Sequence, residues 1–232
     1  MQHRTKSFSK LFNSYNGTSL TPLLEGWFMA MLDHFGPQGW WPAESPFEVA
    51  VGAILTQNTA WKNVEKALSN IRERGLLDPH ALLRLKDEEL ARLIRPAGYY
   101  NIKSKRLKNF LEWLNGRTGG DIELLKEVET WKLREELLGI KGIGPETADS
   151  ILLYALEKPV FVVDAYTIRA LSRHDIIDQE AGYHQVQELF MDNLPVDAAL
   201  FNEFHALFVA LGKDHCRARR PVCNSCPVSE QE

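Results

Sequence analysis

The chain has 232 residues, 44% apolar and 25% charged, with 27 Lys and Arg against 31 Asp and Glu for a net charge of −4. This composition excludes collagen-like, low-complexity and wholly disordered chains, and no apolar run approaches the ~18 residues that a membrane span needs. A chain of this length buries a sizeable core, as one large domain or two lobes, and six Trp exceed what that core requires.

The N-terminus lacks the apolar stretch of a secretory signal. Residues 1–24, with Arg4, Lys6 and Lys10 and no acid, read as a frayed basic arm leading into the first helix rather than as a transit peptide. Helical periodicity then dominates. Leu23, Trp27, Met31 and Leu32 make one apolar face, and Trp40-Trp41-Pro42 follows the breakers at 36–39. Phe47, Ala50, Ile54 and Leu55 make a second face, which leads through Gln57 to Trp61. After the breaker Arg95-Pro96-Ala97-Gly98 and Tyr99, a segment opening near Asn101 carries a third face of Leu107, Phe110, Leu111 and Leu114. Lys103, Lys105, Arg106 and Lys108 put four bases within six residues of that segment. Such a run is a solvated face or, beside a DNA-binding element, a set of phosphate contacts, and a negative net charge does not exclude the second.

The most informative segment is Leu138-Gly139-Ile140-Lys141-Gly142-Ile143-Gly144-Pro145-Glu146-Thr147-Ala148-Asp149. A helix ends before it, and Pro145 suits the first position of a new one. Gly142 and Gly144 permit positive φ and close approach of another backbone. Ile140 and Ile143 anchor the turn in the core, and the free N–H groups of the new helix face a phosphate, with Lys141 beside them. This is the shape of a helix–hairpin–helix element, which grips a DNA backbone without reading sequence. A plain glycine-rich turn between helices is the alternative.

Ile151, Leu152, Ala155 and Leu156 lie on the helix opening at Pro145. Pro159–Val163 is the strand-like run, and five residues do not make a sheet, so the fold class is all-α with about ten helices. Asp164, twenty residues after Gly144, ends that run and opens a helix. As an N-cap it is worth ~1 kcal/mol. It is also a carboxylate held at a helix mouth, and the two roles are compatible. Leu200, Phe204, Leu207, Phe208 and Leu211 form the last apolar stripe.

All three cysteines fall at the C-terminal end, as Cys216, Cys223 and Cys226. A secreted disulfide scaffold would spread an even number along the chain. This cluster reads as a metal or iron–sulfur site in a reducing compartment, hence a cytoplasmic or nucleoid-associated protein. Arg217, Arg219 and Arg220 lie between the first two cysteines as a second basic cluster.

The hairpin, the Val162-Val163-Asp164 that follows it and the terminal cysteines together resemble the helix–hairpin–helix DNA glycosylases of the endonuclease III superfamily. Trp40-Trp41-Pro42, Ala53-Ile54-Leu55-Thr56-Gln57-Asn58-Thr59, Arg95-Pro96-Ala97-Gly98-Tyr99-Tyr100-Asn101 and Lys141–Asp149 are most similar to its 3-methyladenine DNA glycosylase III branch. The resemblance implies a two-lobed helical fold. A barrel lobe over 45–155 would end in the hairpin, and a second lobe would join 1–44 to 156–232, with double-stranded damaged DNA between them. It implies that Asp164 is the catalytic aspartate and that Gln57 fills the gap left by a flipped nucleotide. Tyr99 would wedge the opposite strand, and Trp41 and Trp61 would line the base pocket, with core packing as the alternative for these aromatics. Lys103, Lys105, Lys141, Gly142 and Gly144 would bind the DNA backbone.

Two departures qualify the resemblance. The family's cluster pattern places a fourth cysteine where this chain has its last residue, Glu232. A [4Fe–4S] cluster on Cys216, Cys223 and Cys226 would then need Glu232, His215 or an outside ligand, and zinc or no metal are the alternatives; no organic cofactor is implied. The lysine of the bifunctional lyases is replaced by Glu146, and a carboxylate cannot form their Schiff base. The sequence therefore points to a monomeric, monofunctional glycosylase acting on an alkylated purine. A bifunctional lyase on oxidised pyrimidines and a non-catalytic damage binder are the competing readings.

Overall fold

Apolar residues recurring at helical spacing, with strand alternation nearly absent, leave helix packing as the way to bury a core. The computed structural model describes residues 2–229, with side chains from Phe8 onward. Among the described residues there are twelve α-helices and no strand. No helix among them is long and apolar enough to cross a membrane. The chain forms two compact units: Trp41–Lys158, and the flanking segments up to Trp40 and from Pro159 on.

The first unit contains α3 (Pro46–Thr56), α4 (Trp61–Arg72), α5 (Pro79–Arg84), α6 (Asp87–Leu93), α7 (Tyr100–Thr118), α8 (Thr130–Leu138) and α9 (Pro145–Ser150). Its centre is α3, buried from Phe47 to Leu55 on every side. Ser45 caps α3 by accepting the Glu48 N–H at 3.2 Å. The buried Glu48 carboxylate is paired with Arg72 of α4. Val64, Ala67, Leu68 and Ile71 turn one stripe of α4 inward, and Leu107, Phe110, Leu111 and Leu114 do the same for α7. Arg134 of α8 grips Asp149 of α9 through two buried bonds of 2.6 and 3.0 Å. That fork holds together the two helices that the hairpin joins. Beyond α9 the winding loosens into a π-helical turn, Ile151–Ala155. Such turns are rare and recur near functional sites.

The second unit contains α1 (Gln2–Asn13), α2 (Thr21–Phe35), α10 (Ala165–Arg173), α11 (Tyr183–Asn193) and α12 (Ala198–Asp214). The basic arm expected at the N-terminus is in large part helix α1. Phe8 and Phe12, one turn apart, are buried and pack on Phe28 at 5.0 and 5.8 Å between ring centroids. Two aromatics are too short a stripe to register as a period. The strand-like run at 159–163 forms no strand, and Val160, Phe161, Val162 and Val163 are buried. Its Phe161 carbonyl accepts from Gln187 Nε2 of α11 at 2.7 Å. Phe161 stacks on Phe190 at 3.8 Å and meets Phe201 and Phe204 of α12 edge-on. This aromatic core fixes the run that delivers Asp164.

Helix α10 packs along α12, and Gly212 permits the approach: a Cβ there would stand 2.1 Å from the Tyr166 ring. Gly212→Ala should therefore destabilise the protein by about 1–3 kcal/mol through overpacking. Urea unfolding followed by circular dichroism measures this, and an unchanged midpoint would count against the close contact.

Candidate functional site

The hairpin is built as its sequence implies. Ile140 and Ile143 are buried, and Gly142 has φ +99°, a conformation that disfavours any side chain. A Cβ at Gly142 would also lie 2.4 Å from Arg106 Cγ. Gly144 has ordinary extended angles, and the space around its Cα is open, which leaves its backbone accessible. Lys141 is exposed, and its carbonyl accepts from Asn109 Nδ2 of α7 at 2.8 Å. Glu146 is exposed in the first turn of α9.

Gln57 sits at the end of α3, where its Nε2 donates to the Gly142 carbonyl at 3.1 Å and to Thr147 Oγ1 at 3.0 Å. Its Oε1 accepts from Arg106. The side chain expected to enter a base stack is thus the strut of the hairpin, and entering a stack requires it to leave those bonds. Tyr99 is 69% exposed and holds a left-handed conformation, φ 46°, just before α7. Such a conformation is uncommon for a non-glycine residue and is often found at functional sites. Ile102, on the first turn of α7, is also exposed.

The basic run on α7 is corrected by the structure. Lys103 is 1% exposed, and its ammonium donates to the Leu55 carbonyl at 2.8 Å and the Ala97 carbonyl at 2.7 Å. It ties down the end of α3 and the turn before Tyr99, and it does not face a phosphate. Lys108 is held by the carbonyls of Leu83 and Leu85, and Arg106 by Gln57. Lys105 is the exposed member of the four. Four cations on little more than one and a half turns cannot share one face, so the helix buries some of them.

Trp41 and Trp61 meet edge to face at 5.1 Å, and Tyr154 of the π-helical turn adds a third ring 5.2 Å from Trp41. Gly52 of α3 makes room, since a Cβ there would stand 3.2 Å from Trp41 Nε1. Both tryptophans keep part of their surface exposed. Tyr154 was not legible as a site residue, because it sits inside an apolar helical stretch.

In the other unit, Asp164 caps α10. Its Oδ1 accepts from the Thr167 N–H at 2.8 Å and from the Thr167 hydroxyl at 2.9 Å. Its Oδ2 lies 3.6 Å from His205 Nε2 of α12, with side-chain exposures of 11% for Asp164 and 8% for His205. Burial pushes the Asp164 carboxyl up. The His205 imidazole and the two Thr167 donors outweigh it and hold the group below the ordinary aspartate value. His205 escaped the sequence reading because it flanks the apolar stripe of α12. A polar ring between Phe204 and Leu207 was the available signal.

The three cysteines form no disulfide. With Trp27, Arg173 and His174 they line a cavity of about 460 Å³. Arg173 Nη1 donates to Cys216 Sγ at 3.3 Å and to the Arg217 carbonyl at 2.8 Å, while Arg169 Nε donates to the Cys216 carbonyl at 2.7 Å. Burial pushes the Cys226 thiol up, and Cys216 and Cys223 add to the rise. Among the described residues no three His, Cys, Asp or Glu side chains converge on a single metal ion. Glu232 lies outside the described residues. His215 has both ring nitrogens engaged, Nδ1 at 3.4 Å from the Val222 carbonyl and Nε2 at 3.2 Å from His34 Nε2. Arg217, Arg219 and Arg220 are exposed.

The described chain is thus helical, with a hairpin of the helix–hairpin–helix class leading into α9 and, after the π turn, an aspartate that caps α10. Residues 51–196 match the family described as HhH-GPD superfamily base excision DNA repair protein, and the chain belongs to that superfamily. A Methanocaldococcus jannaschii protein, named as an inferred DNA repair glycosylase, is 48% identical over 88% of this chain and 92% of its own length. The structure of Helicobacter pylori 3-methyladenine DNA glycosylase bound to 1,N6-ethenoadenine superposes with a TM-score of 0.67 at 30% identity, over 83% of this chain and 95% of that one. A trapped endonuclease III–DNA covalent intermediate superposes with a TM-score of 0.78 at 22% identity, over 90% and 93% of the two chains, a likeness of fold. The protein is thus a DNA glycosylase of base excision repair.

One consequence of the Lys103 placement is measurable. Burial first, and the Arg106 charge second, lower its pKa from 10.5 to about 8. The folded state therefore releases this proton before the unfolded state does, and the residue's contribution makes stability rise with pH between about 8 and 10.5. Denaturant titrations across that window should show the slope in the wild type and lose it in Lys103→Met. Parallel slopes would mean that Lys103 titrates normally.

Proposed function

We propose that the chain is a monofunctional glycosylase that releases an alkylated purine from double-stranded DNA. The observation that carries this reading is the ring corner of Trp41, Trp61 and Tyr154. An N-alkylated purine is cationic or electron-poor, and aromatic faces attract such a ring by cation–π and stacking forces. The bound 1,N6-ethenoadenine named for the Helicobacter pylori enzyme, a modified adenine, supports the same class.

A base cannot be attacked at its sugar while stacked, so the nucleotide must leave the duplex. The N-glycosidic bond then breaks, its electron pair leaves with the base, and positive charge builds on the sugar. Asp164 stabilises that charge. It also takes a proton from the water whose oxygen bonds to the sugar carbon. Its low pKa keeps it ionised for both tasks. The hairpin backbone around Gly142 and Gly144, with Lys141 and Lys105, holds phosphates, and Tyr99 enters the stack. Glu146 stands where the bifunctional enzymes carry an amine, which supports water as the nucleophile.

The test is single-turnover base release on alkylated, oxidised and undamaged duplexes, with borohydride added in parallel. Wild-type protein should release the alkylated purine without a covalent adduct. Asp164→Asn, which keeps the cap and removes the charge, should slow release by about 10²- to 10⁴-fold. Trp41→Ala should weaken binding to the alkylated site by about 1–3 kcal/mol more than to undamaged DNA. A strong borohydride-trapped adduct, or release confined to oxidised pyrimidines, would replace this reading with the bifunctional one.

The cysteines are proposed to hold a [4Fe–4S] cluster. The fit rests on the cavity and on the buried Trp27 Nε1, a donor without a hydrogen-bond partner among the described residues, on a residue that lines it. All three cysteines border that one cavity, and in a cluster each thiolate takes its own iron. Cys216, Cys223 and Cys226 would supply three ligands, and the group would brace the loop that carries Arg217, Arg219 and Arg220. Protein produced with iron under anaerobic conditions should be brown, and Cys223→Ser should bleach it. Colourless protein with stoichiometric zinc would refute the cluster.

A further inference from the structure

Asp164 presents two oxygens with different surroundings. Oδ1 is saturated by one residue, accepting both the backbone N–H and the hydroxyl of Thr167 from its own helix. Those two bonds fix one oxygen and leave the carboxylate free to tilt about it. The group against the second oxygen comes from another helix, as the His205 imidazole of α12, 3.6 Å from Oδ2. Thr167 of α10 and His205 of α12 both bear on the charge of this carboxylate.

The placement of His205 is itself over-determined. It lies on α12 between Phe204 and Leu207, both fully buried, and its ring has 8% exposure. Phe204 stacks on Phe208 at 5.0 Å and meets Phe190 edge-on at 5.6 Å, so the backbone that carries His205 is locked in the aromatic core. Asp197 caps the start of α12 by accepting the Leu200 N–H at 2.8 Å. Near its other end, the closeness of Gly212 to Tyr166 fixes its distance from α10. A buried imidazole held this rigidly against one carboxylate oxygen can set the direction of that carboxylate.

We propose that His205 is a positioning residue for the glycosylase reaction, holding Oδ2 of Asp164 so that the carboxylate has one orientation when the sugar arrives. This rests on the reading of Asp164 as the catalytic carboxylate. A contact of 3.6 Å is an ion-pair distance, and such contacts commonly tighten to hydrogen bonds in the reacting complex. Orientation errors of about 1 Å cost rates about 10²-fold. Removing the imidazole should therefore act on the chemical step while leaving the hairpin and its phosphate contacts intact.

The experiment compares wild type, His205→Leu, His205→Gln and Asp164→Asn in the full-length protein, on a duplex with one alkylated purine. Leucine fills the space without a donor, whereas the glutamine amide can place an N–H near the position of Nε2. Three quantities are read: the single-turnover rate at saturating enzyme, the dissociation constant, and the titration of the Asp164 carboxyl by carbon-13 NMR. His205→Leu should lower the rate by about 10- to 100-fold with the dissociation constant within about twofold. Its Asp164 carboxyl should titrate at higher pH than in wild type, because burial is then less opposed. His205→Gln should recover most of the rate, and it keeps the test usable if His205→Leu fails to fold.

Wild-type rates in both His205 variants, with Asp164→Asn inactive, would overturn the His205 proposal alone. Equal losses in both variants with an unshifted Asp164 titration would do the same, because they would mean a packing role. Full activity in Asp164→Asn would instead overturn the reading of Asp164, and the proposal with it.

Discussion

A carboxylate held below the ordinary aspartate pKa while nearly nine-tenths of it is removed from water is the constraint around which one unit of this protein is organised. Burial by itself drives such a group toward its neutral form. The counterweights are the N–H and hydroxyl of Thr167 and the imidazole of His205, and each depends on something larger. Thr167 can donate because Asp164 is the N-cap of α10, where the buried run at 160–163 ends. His205 can reach because α12 lies along α10, with Gly212 removing the side chain that would force them apart. The stack of Phe161 on Phe190, and its edges against Phe201 and Phe204, hold the run and the helix in one core.

In the other unit the organising feature is the strut under the hairpin. Gln57 joins the end of α3 to the Gly142 carbonyl and to Thr147, while Arg106 holds the far end of the Gln57 amide. Gly142 serves two ends at once: its positive φ turns the chain, and its lack of a side chain admits Arg106. The hairpin is thereby a rigid, nearly uncharged backbone surface, with the exposed ammonium of Lys141 beside it. Much of the positive charge that the sequence places nearby is consumed internally. Lys103 and Lys108 donate to helix-end and turn carbonyls whose hydrogen bonds would otherwise be missing, a task that a long flexible cation performs well.

The cysteine segment shows the same economy. Arg169 and Arg173, one turn apart on the helix that Asp164 opens, donate to the carbonyls of Cys216, Arg217 and Ala218 and to the Cys216 sulfur. The loop is thus anchored to α10 by charge-assisted bonds, while the arginines within it, Arg217, Arg219 and Arg220, are exposed.

Most of the fold was legible in the residues themselves. The 3.6-residue stripes of α3, α7 and α12, the proline and glycines that bound the hairpin, and the cap at Asp164 are local signals, set by backbone geometry and by which side chains avoid water. Helix α1 was missed because its apolar positions span a single turn. The family was also legible, because short motifs at set spacings survive as text, and the roles proposed for Asp164 and the tryptophan pair start from that resemblance. What the text could not carry is which partner each polar atom finds. Charge counting placed Lys103 among phosphate contacts, yet the packing of α7 against α3 aims it inward at two carbonyls. Tyr154, on the π turn after the hairpin, joins the tryptophans through a contact across the fold that the local sequence does not announce. His205 meets Asp164 only because two helices thirty-odd residues apart lie side by side. Periodicity and motifs are properties of neighbours along the chain, whereas the charge state and aim of a buried group depend on neighbours in space, and tertiary packing alone supplies those.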